Sequence, residues 1–166
     1  MKRLHTVLLA VVLSLVMAVP CTFAADDLAA KLSEVLSKAP AEKFWQVTAD
    51  DVMGMIKAKK TDFVVVDARP NPNEFKQGHI PGAVQIPVQD LLKPDNLKKL
   101  PKGKKIILVC VTGQTQNLGL IALRALGYNA YGMKFGMISW QKGYQGGQQV
   151  QEAIKGAEAK NYPLDK

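Results

Sequence analysis

Chemistry in this chain gathers first around Cys110. The residue stands between an apolar, β-branched run, Ile106-Ile107-Leu108-Val109, and a short loop, Val111-Thr112-Gly113-Gln114-Thr115. Beyond the loop, Leu118, Leu120, Ile121, Leu123 and Leu126 recur at helical spacing. The pattern predicts a buried strand over 106–110, a loop opened by the cysteine, and a helix. A loop that joins a strand end to a helix start gathers backbone N–H groups and the positive end of the helix dipole, and an anion there is stabilised. Cysteine ionises at little cost near neutral pH, so this position is expected to lower its pKa and offer a thiolate nucleophile. The alternative is packing, since a free cysteine also ends core strands as a small hydrophobe.

Cysteine usage and the start of the chain bear on that choice. Met1-Lys2-Arg3 is basic, residues Val7 to Val19 are apolar except for Ser14, and Thr22-Phe23-Ala24 supplies a cleavage site. This is the pattern of a secretory signal peptide over residues 1–24, cut after Ala24, and it predicts a periplasmic or secreted protein with no stable membrane insertion once the signal is removed. Lipid attachment at Cys21 is disfavoured, because Ala18-Val19-Pro20 lacks the usual leucine and sets a proline before the cysteine. Cleavage would leave Cys110 as the sole cysteine, without an internal disulfide partner in an oxidising compartment. His5 would leave with the signal, so only His79 and Cys110 would remain as soft or imidazole ligands; no metal and no cofactor are expected.

Losing residues 1–24 removes Lys2 and Arg3 and no acid, which takes the formal charge from +8 to +6. The lysines are scattered (Lys57, Lys59 and Lys60; Lys98, Lys99, Lys102, Lys104 and Lys105) and lack interleaved aromatics, so nucleic acid is not an expected partner. About 140 remaining residues suit one domain with one core.

The elements that must position the cysteine follow in order. Leu28, Leu32, Val35 and Leu36 predict a helix over 26–38, part of an N-terminal extension (25–45) that leaves room for a protein partner. Thr48 and Asp51 have the spacing of a capping box, with Val47 and Val52 placed as a staple across it. Phe63-Val64-Val65-Val66 is too apolar for an exposed strand and belongs mid-sheet, delivering Asp67, Ala68 and Arg69 at its carboxyl end. Short strands at 84–86 and 130–133, a helix near 89–92, a helical turn at 139–144 and a final helix carrying Val150, Ala153, Ile154 and Ala157 complete the pattern. Gly146-Gly147 reads as a break before that helix. Alternating strands and helices predict an α/β fold with a mostly parallel sheet covered on both faces, in which ligands bind at the carboxyl ends of the strands. The domain is expected over 46–146, with a C-terminal helix and tail over 147–166.

Several ordered motifs resemble the rhodanese-like (sulfurtransferase) family over roughly Val47 to Tyr144. Val66-Asp67-Ala68-Arg69, then Glu74-Phe75 and Gly78-His79-Ile80-Pro81-Gly82-Ala83, are similar to its first signature. Cys110-Val111-Thr112-Gly113 is similar to the start of its active-site loop, and Ala125-Leu126-Gly127-Tyr128 and Gly136-Met137 with Trp140 to its closing segment. The resemblance implies a single rhodanese-like domain in which Cys110 takes sulfur from a donor such as thiosulfate. It would hold that sulfur as a persulfide and pass it to a thiol or cyanide. The N–H groups of Val111, Thr112, Gly113, Gln114 and Thr115 would stabilise the persulfide anion.

Asp67 and Arg69 would support the loop as a buried or half-buried pair, with contact between Arg69 and substrate as the alternative. His79 and Glu74 read as structural residues, Arg124 as a surface or ion-pair residue, and Trp140, Met133 and Met137 as core. One departure stands out: well-known members carry arginine at the sixth loop position, where this chain has Thr115, followed by Gln116. Threonine can cap the helix but brings no charge to bind thiosulfate. The same departure disfavours the phosphatases of related fold, whose loop ends in an arginine that clamps phosphate. Two alternatives to transfer are a non-catalytic binding module and a redox sensor in which an exposed Cys110 is oxidised.

Overall fold

The structure, a computed structural model, describes residues 22–160 and 162–165. The predicted signal segment up to residue 21, Cys21 included, lies outside the described residues. Two compact units are present, one ending at Glu34 and one running from Val35 onward. Helix α1 (Thr22–Lys38) begins in the first. Ala39 and Trp45 are buried in the core of the second, and Val35 packs against that core. Ala39 and Trp45 fall within the stretch that the sequence reading sets apart as residues 25–45.

Five parallel strands form the sheet of the second unit: β1 (Gln46–Val47), β2 (Phe63–Asp67), β3 (Val84–Gln85), β4 (Lys105–Val109) and β5 (Ala130–Met133), in the order β1-β5-β4-β2-β3. The two most apolar runs of the chain, β2 and β4, lie side by side in the middle, with Val66 opposite Leu108 and Asp67 opposite Val109. Side chains alternate across a strand, and β4 shows this directly. Ile106 and Leu108 join a cluster with Val66, Leu91, Leu120 and Leu123, while Ile107 and Val109 join another with Val52, Val65, Ile80, Met133 and Met137. Each of these fully buried aliphatic side chains contributes about 1.5–3 kcal/mol of burial. The α/β architecture with a parallel sheet, covered on both faces, agrees with the sequence pattern.

Helices α2 (Ala49–Lys57), α3 (Pro72–Gln77), α4 (Pro94–Leu97), α5 (Gln116–Ala125), α6 (Met137–Trp140) and α7 (Gly146–Lys160) connect and follow the strands. The capping box at α2 is present: Thr48 Oγ1 accepts from the Asp51 N–H at 3.1 Å, and an Asp51 carboxylate oxygen accepts from the Thr48 N–H at 2.8 Å. These bonds to Thr48 hold the Asp51 carboxyl below the usual carboxylate range.

Several local expectations are corrected. Pro70-Asn71-Pro72-Asn73, which reads as a turn-rich stretch in sequence, opens α3, because Pro72 fits a first helical position and Asn71 accepts from the Asn73 N–H at 3.0 Å. Val88–Asp90 forms a 3₁₀ turn in place of the helix expected near 89–92, and the helical turn expected at 139–144 is α6. Gly146 starts α7 instead of breaking the chain: a Cβ there would fall 2.2 Å from Val111 Cγ1, so glycine permits a close approach to the cysteine loop. Lys43, Phe44 and Trp45 adopt three successive left-handed conformations, with φ of 53°, 54° and 54°, just before β1. For residues other than glycine this costs about 1–2 kcal/mol each, set against the burial of Trp45 in the core.

Candidate active site

β4 ends at Val109, and Cys110 is the first residue beyond it. The cysteine is free and 1 % exposed. Its backbone N–H donates to Gln116 Oε1 at 2.8 Å, and Gln116 Nε2 donates to the Met133 carbonyl at 2.8 Å. Gln116 thus ties the carboxyl end of β4 to that of β5 from the first residue of α5, with its own side chain fully buried. Sequence reasoning passed over this residue, because a glutamine at a helix start looks solvated. The signal available was its position on the same helical face as Gly119, Leu120 and Leu123, all of them buried. Gln116→Leu would leave the Cys110 N–H buried without a partner, while the Met133 carbonyl keeps the Gly136 N–H at 3.1 Å. It is expected to lower stability by about 1–3 kcal/mol, read as a lower urea midpoint.

The loop has a one-sided hydrogen-bond pattern. The Cys110 carbonyl accepts from the Met137 N–H at 2.8 Å and the Val111 carbonyl from the Ile138 N–H at 3.1 Å. Asn117 Nδ2 donates to the Gly113 carbonyl at 3.0 Å, and the Gln114 and Thr115 carbonyls accept from the N–H groups of Asn117 and Leu118 at 3.1 Å each. The N–H groups of Val111, Thr112, Gly113, Gln114 and Thr115, by contrast, have no acceptor among the described residues. Carbonyls are consumed by the surrounding structure while a run of donors stays available next to a thiol. Such a loop can hold an anionic group on or near the sulfur.

Two glycines make the loop's path possible. Gly113 has φ +83°, and a Cβ there would lie 2.7 Å from the Phe135 nitrogen; Gly136 has φ +53°, and its Cβ would lie 2.2 Å from the Cys110 carbonyl oxygen. The segment 135–136 therefore rests directly on the loop backbone, which only glycine at both points allows.

Thr115 does not cap α5. It sits in a helical conformation, φ −66° and ψ −27°, and its side chain makes no capping bond. A threonine at this place would need an extended backbone to reach the helix N–H groups, so the capping role expected from sequence is corrected, and the first turn is secured by Asn117 instead.

Asp67 and Arg69 form a buried ion pair. Both carboxylate oxygens of Asp67 accept from the guanidinium, at 2.6 to 3.1 Å, and Arg69 is 1 % exposed. Arg69 also donates to Tyr144 Oη and to the Gly78 carbonyl, both at 2.7 Å. Burial pulls the guanidinium pKa down, but the bonds to Asp67 and Tyr144 outweigh it and keep the group above its ordinary value, permanently charged. Arg69's donors go to Asp67, Gly78 and Tyr144 and none to residues 111–115. The pair pins the Gly78 turn and the Tyr144 segment; its link to the cysteine strand is the Ala68 N–H, which donates to the Val109 carbonyl at 2.7 Å.

His79 is exposed, stacks on Phe75 at 3.8 Å between ring centroids, and shares a hydrogen bond through Nδ1 with the Phe75 carbonyl at 2.9 Å. Arg124 donates to the Ala130 carbonyl at 2.7 Å, pairs with Glu42 at 3.4 Å and lies over Trp45 and Tyr131. Neither belongs to the loop. Among the described residues, no group of three or more His, Cys, Asp or Glu is placed to hold a metal ion, and no helix is long and apolar enough to cross a membrane.

Residues 48–143 match the family model of the rhodanese-like domain. A sulfurtransferase of Allochromatium vinosum is 30% identical over 86 residues, which are 51% of this chain and 78% of that protein. A tRNA sulfurtransferase of Desulfurococcus amylolyticus is 29% identical over 84 residues; the match spans 51% of this chain but only 16% of that much longer protein. Among solved structures, a rhodanese-related protein from Thermoplasma volcanium superimposes with a TM-score of 0.51 and 29% identity, covering 60% of this chain and 93% of that one. With its cysteine loop at the carboxyl end of a central parallel strand and the family match running across β2 to α6, this chain belongs to the rhodanese-like domain family.

Proposed function

We propose that this protein is a sulfurtransferase that carries sulfane sulfur on Cys110. The Cys110 thiolate attacks the outer sulfur of a donor such as thiosulfate. The donor's S–S bond breaks, and sulfite leaves with the bonding pair. Cys110 then holds a persulfide. A thiolate or cyanide attacks that outer sulfur, takes it, and returns Cys110 as thiolate, so the cycle needs no outside oxidant or reductant. The reading includes an exported site of action, supported by the basic and then apolar start of the chain.

The observation that carries the proposal is the loop's run of five N–H donors without protein acceptors, beside the only cysteine among the described residues. Persulfide formation asks for charge stabilisation on sulfur and no proton transfer at the attacking step, and backbone donors supply that. Sulfurtransferase names among the relatives point the same way. The non-catalytic alternative draws on Thr115, which leaves residues 111–115 without a charged side chain for an inorganic donor. The redox-sensing alternative draws on the same free cysteine, and rapid peroxide-dependent modification in place of sulfur uptake would favour it.

Incubating the protein with thiosulfate, with polysulfide and with an organic persulfide, then weighing it intact, is the direct test. One added sulfur atom from at least one of these donors is expected. No adduct from any of them would leave the binding module as the better account.

A further inference from the structure

We propose that the end of the sheet opposite Cys110, where the strands begin, is a docking surface for a bilayer leaflet rich in anionic phospholipid. The proposal goes beyond the Cys110 chemistry and would stand without it. Lysines that lie scattered along the sequence converge at this pole. The connection 57–62 carries three lysines and leads into β2, and the stretch 98–105 carries five and leads into β4. β2 and β4 are parallel neighbours, with Phe63 opposite Lys105, and the Lys105 N–H donates to the Asp62 carbonyl at 2.9 Å. The pole extends to the start of β5, where Tyr128 Oη donates to the Leu97 carbonyl at 3.3 Å and Lys102 Nζ lies 5.4 Å from the centre of the Tyr128 ring. Cys110 follows the last residue of β4, so about 16 Å of strand separates it from Lys105.

Eight lysines against Asp62 and Asp95 place six of the chain's formal +8 at this pole. Asp95 is taken up by Lys98 at 3.0 Å, and among the described residues no other lysine of the two stretches has an ion pair. Lys105 is half-buried and the other seven are exposed. Like charges gathered with so few counter-charges repel one another and work against the compact fold. An anionic partner removes that repulsion.

The kind of partner follows from the side chains. All eight cations are ammonium groups on flexible stems, and neither stretch contains an arginine. Such point charges suit a diffuse layer of headgroup phosphates, whereas a single fixed oxyanion is better held by the planar fork of arginine. Nucleic acid would call for aromatic faces or base-reading side chains. Neither stretch has an aromatic residue; of the nearby rings, Tyr128 is buried in the core, and Tyr131 has Lys105 and Arg124 over it at 4.5 and 4.7 Å. An exported protein, which the basic and then apolar start of the chain indicates, works beside a membrane. Docked by this pole, the protein would turn the carboxyl ends of its strands, and Cys110 with them, away from the lipid.

The test sediments the full chain with vesicles of phosphatidylglycerol mixed with phosphatidylcholine and, in parallel, of phosphatidylcholine alone, at about 0.1 M salt. The start of the chain is the same in every variant, so the readout is the ratio of the two partition coefficients, compared between variants. Lys57→Gln, Lys59→Gln, Lys60→Gln and Lys104→Gln are combined in one protein; these four ammonium groups have no protein partner among the described residues. A charge-matched control combines Lys76→Gln, Lys134→Gln, Lys142→Gln and Lys155→Gln, all outside the pole. Each lysine held near an anionic leaflet strengthens binding about fivefold. The ratio is therefore expected to fall about a hundredfold or more in the pole variant and less than about fivefold in the control. Equal falls in the two would mean that net charge alone acts and would overturn the proposal, as would equal partition of the unaltered chain into both kinds of vesicle. Duplex DNA that strips the protein from anionic vesicles at equal phosphate concentration would also overturn it, since the pole would then be a nucleic-acid surface.

Discussion

Cys110→Ser is expected to yield a folded protein that takes up no sulfur from any donor at any concentration. The oxygen that replaces Sγ does not ionise near neutral pH and forms no stable bond to sulfane sulfur, so a loop able to stabilise an anion has none to stabilise. Sulfur transfer should fall to the uncatalysed rate, a loss of roughly a thousandfold or more. The fold pays little for the change: Cys110 is buried at a strand end, and a hydroxyl there costs about 1–3 kcal/mol of stability if it finds no partner. Cys110→Ala separates the two effects, because it also abolishes transfer but buries no polar atom. Equal transfer by Cys110→Ser and the unaltered protein, with a donor shown to load the unaltered protein and cyanide as acceptor, would refute the nucleophile assignment.

The second large effect is expected from Asp67→Ala. Arg69 is closed off from solvent, and Asp67 takes three of its guanidinium hydrogen bonds. Removing the carboxylate strands a permanent cation with only Tyr144 and the Gly78 carbonyl as partners. Breaking a buried pair from one side costs about 3–5 kcal/mol, a large share of the roughly 5–15 kcal/mol that holds a domain together. The double substitution Asp67→Ala with Arg69→Met should recover a good part of the loss, since an apolar side chain of similar length leaves no charge behind. Urea unfolding of the two variants checks this: a loss below about 1 kcal/mol for Asp67→Ala would mean the pair is not sealed from water.

What was legible in the sequence depended on how far each element relies on local chemistry. The central strands β2 and β4 announce themselves through continuous β-branched runs, because a strand buried on both faces has no polar side to interrupt them. The Thr48–Asp51 box was legible because both of its bonds lie within four residues. Strand β1 has only two residues and exists through its pairing with β5, so nothing within it marks it. The buried face of α5 shows the limit most clearly. That face is Gln116, Gly119, Leu120 and Leu123, so half of it is not apolar, and hydrophobic spacing drew in Leu118, which is 73 % exposed. Glycine is there because a Cβ at 119 would fall 2.3 Å from Leu91 Cδ2, and glutamine because two backbone groups far apart in sequence need a bridge. The cysteine and the loop around it were legible as a unit. The hydrogen bonds that free the loop's donors were not, since they come from residues 137 and 138.

That clamp from Met137 and Ile138 makes reactivity conditional on folding. The partners of the Cys110 and Val111 carbonyls lie beyond β5, on the far side of a helix and a strand. Until that segment docks, nothing holds these carbonyls back from pairing with nearby amides or water, and the donors beside the sulfur have no reason to stay free. A chain that has formed β4 and α5 but not yet seated residues 135–138 would lack this arrangement of donors. The free donors beside Cys110 thus depend on contacts made 27 residues further along the chain.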